Sequence, residues 1–451
     1  MAQDGAGRNG HAPTVEGVME LLKKGKEYYS GFHAACLEED NFYLGKVAIP
    51  KPTGEPVDEV HPATATAIVN VATDHLDVNN ISIEVPASGK ARQRAERLKR
   101  FYLGTWLSVK GPVLRTAARH GFQYGIAATK SMFATDQWPD PPMLDDFPDE
   151  ASYRTALEEV LEERGHVFPL VVRNVNPKNL VWDDSRIRPR WAIEFYQRRP
   201  EEVAWRYPEF QKSGSSPFVD WVEYWDEEWA LYLADGQAVW GPERHSYGHL
   251  CYTFAHPASS LDWDDGPPHE RYRGILRPVH SLLKEEARLI TAYSAILRMY
   301  AYRTIDFYGP RSAAEETARA YELFGAKNVV PPGVSIQASP LVTPPPEILR
   351  QLSMVQTMIE EATFPNVVRG LRPTGAGSGF AISVLAGMGR LVFQGMADGL
   401  ARAMEQVNTK FAQLVENKAR GRVTVHGRAQ AHSFDQTIGP EDIQGYYENH
   451  V

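Results

Sequence analysis

The order of parts between residues 278 and 417 constrains this chain more than any other feature. A helix with one apolar stripe, Leu282, Leu289, Tyr293, Ile296 and Tyr300, is predicted over residues 278–303. Gly309-Pro310 breaks it, and a short proline-rich α/β insert follows, with a helix near 313–323 and strands at 328–330 and 334–337. Thr343 and three prolines then launch a second helix striped with Ile348, Leu352, Val355 and Ile359, because proline is tolerated in a first turn. A glycine-rich loop, F-P-N-V-V-R-G-L-R-P-T-G-A-G-S-G from Phe364 to Gly379, opens into a very long helix over 380–418. Met396, Leu400, Met404, Val407, Phe411 and Leu414 recur on it at three- and four-residue steps. Its first half holds Gly387, Gly389, Gly395 and Gly399, each costing roughly 1 kcal/mol against alanine, so a kink or a close neighbour is predicted there.

The preceding part of the chain is more mixed. Helices are predicted over 15–37, 63–76, 112–125 and 150–163, a basic amphipathic helix over 90–106, and a strand over 80–85. Residues 139–150 read as an acidic, proline-rich surface loop. Strand patterns follow at 168–175, 180–182 and 191–196, and again from Trp221 through a turn at Asp235-Gly236 to Phe254. Most of the ten tryptophans lie between Trp182 and Trp263, which predicts a compact aromatic-packed β domain. No internal repeat is evident.

A chain of 451 residues exceeds what one core usually supports, so two to four domains are expected. The net charge of -9 argues against a surface that coats duplex DNA electrostatically, while leaving room for a local basic patch or a channel that DNA passes through. Cys36 and Cys251, far apart, supply no disulfide framework. No apolar run approaches the ~20 residues of a membrane span, and the first residues lack the apolar core of a signal peptide, so a soluble protein without a membrane partner is expected.

Candidate chemistry is sparse. Gly375-Ala376-Gly377-Ser378-Gly379 before a helix invites a phosphate-binding reading, since glycine lets backbone N–H groups approach an anion. The spacing matches neither G-x-G-x-x-G nor a P-loop, and Pro373 interrupts any preceding strand, so a flexible loop before a helix is the expectation. His245, His249 and His256 have metal-like steps, but no carboxylate or cysteine completes a set, and they read as ordinary loop and strand histidines. Asp145-Asp146 and Asp183-Asp184 read as solvated turn aspartates rather than acid–base pairs. Asp262 to Gly266 has some calcium-loop character without the later glutamate, and reads as a surface turn. Arg369 and Arg372 either meet phosphates or remain solvated loop charges; residue type alone does not separate the two. There is no serine elbow, Cys/His pair or zinc quartet in the sequence.

Several segments, in this order, resemble the portal proteins of tailed bacteriophages. E-Y-Y-S-G-F-H from Glu27 is similar to the family's N-terminal helix. V-V-R-N-V-N-P-K-N-L-V-W-D-D from Val171, with R-W-A-I-E-F-Y from Arg190, resembles its strand-rich wing. P-P-H-E-R-Y-R-G-I-L-R-P-V-H-S-L-L-K-E-E-A-R-L from Pro267 resembles the entry to its first stem helix, and S-G-F-A-I-S from Ser378 the start of its long helix. The motifs are diffuse, and their order carries the likeness.

The resemblance implies an α+β, multidomain ring subunit. It has a wing over 1–277, stem helices over 278–303 and 344–362, and a clip over 304–343 between them. A tunnel loop follows over 363–379, then a long wing helix over 380–418 and a β segment over 419–451 that stops short of any helical crown. It further implies a ring of about twelve copies, closed head to tail. Such a ring is a non-enzymatic conduit for packaging and ejecting double-stranded viral DNA, without catalytic residues, metal or cofactor. Expected partners are the terminase large subunit, the major capsid protein and a head-completion adaptor. The expected location is the portal vertex of the virion, after assembly in the host cytoplasm. By position, Phe364, Asn366, Val367, Val368, Arg369, Leu371, Arg372 and Thr374 would line the DNA channel, with Gly375, Gly377 and Gly379 as the hinge. The alternative is an enzyme binding a phosphate or nucleotide on the Gly375–Gly379 loop.

Overall fold

The computed structural model describes residues 12–49, 58–76, 82–87, 91–109, 111–184, 189–212, 215–257, 266–301, 305–321, 330–338, 345–364, 368, 387, 391–429 and 432–451. It is a mixed α+β chain that divides into two compact units. Residues 1–40, 67–277 and 367–451 form the first, and 41–66 with 278–366 the second.

The chain begins with α1 (Val15–Tyr28), whose Thr14 hydroxyl accepts the Gly17 amide and so satisfies one orphan donor of the first turn. Tyr29 turns the chain, and α2 (Ser30–Tyr43) follows. The single helix expected over 15–37 is thus two, and the second extends to Tyr43. Next come α3 (Thr64–His75), α4 (Arg92–Ser108) and α5 (Val113–Tyr124), the last closed by Gly125 at φ 77°. Of the strand expected over 80–85, the described part makes one bridge, Glu84 with His450; alternation alone does not build a strand without a neighbour to pair with.

The strands are β1 (Ala127–Phe133), β2 (Leu170–Val175), β3 (Leu180–Trp182), β4 (Ala192–Arg198), β5 (Val219–Trp225), β6 (Trp229–Ala234), β7 (Gln237–Arg244) and β8 (Tyr252–Ala255). Helices α6 (Glu150–His166) and α7 (Pro200–Arg206) are inserted among them. They build a three-stranded sheet, β2-β1-β8, and a five-stranded meander, β3-β4-β5-β6-β7, both antiparallel. Asp235 and Gly236, at φ 47° and 76°, make the two-residue β6–β7 turn that the sequence signals. Sequence reading missed β1, the central strand of the smaller sheet, because Thr129, Lys130 and Ser131 interrupt its apolar pattern.

The strands are not a separate aromatic domain. One core cluster joins Val18, Tyr29 and Phe32 of the first helices to Trp182, Ile193 and Tyr224 of the meander, and to Phe411, Leu414 and Val415 near the chain's end. Tyr29 lies 4.3 Å, ring to ring, from Trp182, which stacks on Phe254 at 5.2 Å. The expected β core is therefore shared with helices.

Helix α8 (Pro268–Arg271) precedes the second unit's α9 (His280–Ala301). The insert consists of β9 (Ile305–Tyr308), α10 (Arg311–Ala320) and β10 (Ser335–Ala338), with β9 and β10 paired antiparallel. Strand β9 was not read from the sequence, and the strand expected over 328–330 lies largely outside the described residues. Helix α11 (Pro346–Ala362) packs along α9 through Val355 and Ile359. Two amides fix their register, Gln351 to Glu285 (3.3 Å) and Gln356 to Glu286 (3.1 Å).

Back in the first unit, α12 (Gln394–Lys418) carries its predicted stripe into the core. A hairpin of β11 (Val423–Ala429) and β12 (His432–Ile438) packs on α4, and α13 (Pro440–Ile443) ends the regular structure.

Candidate functional site

The glycine-rich loop is the candidate the sequence singles out, and its two described edges are firmly held. At the end of α11 the Thr363 hydroxyl donates to the Ile359 carbonyl (2.7 Å), and Phe364 is 1% exposed. In the first unit the Val368 carbonyl accepts from His75 (2.7 Å), whose ring stacks on Phe393 at 5.7 Å. Phe393 in turn meets Phe122 edge-on at 5.6 Å. Phe364 and Val368, two of the residues expected to line the channel of a ring, are both buried in the single chain. Asn366, Val367, Arg369, Leu371, Arg372, Thr374, Gly375, Gly377 and Gly379 lie outside the described residues.

Beyond the loop, the glycines of α12 show why alanine was not used. A Cβ on Gly399 would stand 2.4 Å from the His256 carbonyl oxygen, and one on Gly395 would touch Pro257 at 3.4 Å. This is the close packing that the glycine count predicts. Gly387 faces open space, and Gly389 lies outside the described residues.

The densest group of buried charge lies between the two sheets, and no sequence motif announces it. Lys130 of β1 is fully buried and paired with Glu223 of β5. Its ammonium lies 4.8 Å from the Trp225 ring centre and 5.1 Å from that of Tyr252. Arg173 of β2 grips Glu194 of β4 with two bonds (2.8 and 2.6 Å) and reaches Glu223 at 3.5 Å. Glu223 also accepts from Tyr196 (2.7 Å) and Trp221 (2.9 Å), and Glu194 from Tyr252 (3.1 Å).

Burial alone would raise the Glu223 pKa. Lys130 and Arg173, with the bonds from Lys130 and Tyr196, outweigh that and hold it down at about 2. Two cations face two carboxylates with their bonds made. The cluster acts as a clamp between sheets. The local signal for it is a lysine between two hydroxyl residues in the short strand A-A-T-K-S-M-F.

The remaining candidates resolve individually. His245 is buried, with its Nε2 3.1 Å from the Asp226 carbonyl, and burial lowers its pKa. Burial, reinforced by Arg402, lowers His256 to about 4. Among the described residues no group of three or more His, Cys, Asp or Glu side chains is arranged to hold a metal. Asp145 and Asp146 are exposed, as expected of turn residues. Asp184 is partly buried and paired: it accepts from Tyr28 (2.6 Å) and from both ends of the Arg271 fork. Asp183 caps the Arg190 amide at 3.1 Å. Asp184 thus ties the meander to α1 and α8, a role that only long-range contacts reveal, while Asp183 closes the β3–β4 connection. The calcium-like stretch from Asp262 to Asp265 is outside the described residues. Cys36 and Cys251 are free and buried. Among the described residues no helix is long and apolar enough to cross a membrane.

Comparison with protein-family models gives no match, and comparison with curated protein sequences gives none either. The chain's own residues and fold therefore carry the functional argument.

Proposed function

We propose that this chain is the subunit of a phage portal, a ring at the capsid vertex through which double-stranded DNA is packaged and ejected. The observation that carries this reading is the build of the second unit together with the long helix after it. Two helices, α9 and α11, pack along each other and are joined by a strand–helix–strand insert whose strands pair. The 25-residue α12 then resumes beyond the glycine-rich segment. Stem, clip, loop and long helix come in the order that such a subunit requires.

In this reading the clip and stem meet the terminase large subunit and later a head-completion adaptor, the wing meets the major capsid protein, and the particle resides in the virion. The overall negative charge suits a conduit, since each neutralised phosphate adds salt-sensitive affinity and would slow passage. The test is the assembly state of the purified full chain by native mass spectrometry and negative-stain microscopy. The expected result is a closed ring of about twelve copies with a central channel; a monomer or dimer at every salt and protein concentration rejects the reading.

A further inference from the structure

Helix α6 is capped at its start, where Asp149 accepts the Ser152 amide at 2.7 Å, and holds the buried Arg164 in its last turn, but little else stabilises it. Between Asp145 and Glu163 the chain has eight carboxylates and one arginine, Arg154, which pairs with Glu150. Glu158 and Glu162, and likewise Glu159 and Glu163, repel one another four residues apart. All four sit toward the helix's negative C-terminal end, where the macrodipole also opposes them. No cation pairs with these four among the described residues. Nor does packing compensate: of residues 150–165 only Arg164 is buried, Tyr153, Leu157 and Val160 are half-exposed, and Leu161 is 52% exposed. Helices of this length depend on burying a face, so α6 is suited to a cationic partner with some apolar surface.

The same chain carries such a surface. Residues 92–100 of α4 hold five cations and one carboxylate in a protein that is otherwise acidic. Arg92, Arg97, Lys99 and Arg100 line a groove of about 710 Å³ together with two carboxylates, Glu84 and Glu96, so cations outnumber anions two to one; Val85, Ala87 and Ala95 are its apolar part. Arg97 is tied to Asp442 and Arg100 to Glu96, while Arg92 and Lys99 make no ion pair among the described residues. No ion pair joins α6 to α4 within one chain, again among the described residues.

We infer that α6 of one copy docks its acidic, half-exposed face into the α4 groove of a second copy. The two patches differ, so the contact is head to tail, the kind that generates rings when the rotation closes. This inference rests on the portal reading for its ring but not for its contact.

The test uses the full chain. A mixture of light- and heavy-isotope copies is treated with a carbodiimide, which joins a lysine to a carboxylate in contact. The expected product is Lys99 linked to the 158–163 peptide, half of the links being between light and heavy copies. In parallel, R92E/K99E/R100E and E158K/E159K/E162K should each raise the concentration for half-assembly roughly tenfold or more at low salt. Combining both sets should restore it to within about threefold of the unmodified chain. Circular dichroism confirms that each variant folds.

Assembly that is indifferent to either set, a combination no better than its worse parent, or links confined to single copies overturns the contact while leaving the ring. Variants that assemble normally yet fail to enter capsids also overturn it, by assigning α6 to another protein. A mixed-isotope link in particles that are not rings supports the contact and rejects the portal reading.

Discussion

At the scale of single residues, the most demanding position is Lys130, a lysine with no exposed surface held by Glu223 and two aromatic rings. Replacing Lys130 with methionine keeps the volume but strands a buried carboxylate beside Arg173 alone. A loss of about 3–5 kcal/mol is expected in urea unfolding, the usual cost of breaking one side of a buried pair. Adding Glu223→Gln should recover part of that loss, since the uncompensated charge goes with it. Losses that simply add would show that the pair is not coupled. Nothing local in A-A-T-K-S-M-F announces this role, because the partner carboxylate lies 93 residues away.

At the scale of elements, the stripes of α11 and α12 were legible. The stripe of α12 enters the core as its three- and four-residue spacing requires, and α11 packs through the Val355 and Ile359 of its own stripe. Strand β1 and strand β9 were not legible, the first because buried polar residues break its pattern, the second because I-D-F-Y is too short to show a period. The contact at Gly399 makes a sharp element-level prediction. Gly399→Ala would gain about 1 kcal/mol of helix propensity, but its methyl would meet the His256 carbonyl at 2.4 Å. The clash should win, with a net loss of about 1–3 kcal/mol in thermal or chemical unfolding. Gly387→Ala, where an added Cβ would meet nothing within 4 Å, is the control for the clash and should not destabilise.

At the scale of the whole molecule, burial sets how stability depends on pH. His120 and His256 are both held down to about 4, chiefly by burial, against an ordinary value of 6.5. The unfolded chain therefore binds more protons between those values, and stability contributed by the neutral rings is lost as pH falls from 6.5 to 4. Glu223, lowered from 4.5 to about 2, acts in a second window: its contribution is present above pH 4.5 and lost as pH falls toward 2. Melting temperature against pH should show two successive declines, and a variant of His120 to glutamine should flatten the first. In the proposed ring, changing Arg369 and Arg372 to glutamate should impair DNA packaging into capsids while leaving assembly intact. Packaging at the normal level in both variants would show that these charges do not serve the passage of DNA.

The sequence by itself determined the α9–insert–α11 order, the α12 stripe and the Asp235-Gly236 turn. Each of these is written in spacing along a few turns or strands, where one residue's neighbours are fixed by the backbone's own geometry. Only the tertiary structure decided that the β-rich region shares its core with helices, that Asp184 is gripped by Arg271, and that four charged side chains clamp two sheets together. Those contacts join residues tens to hundreds of positions apart. Their partners are chosen by sheet register and by the need to pair charge away from water, not by any local period.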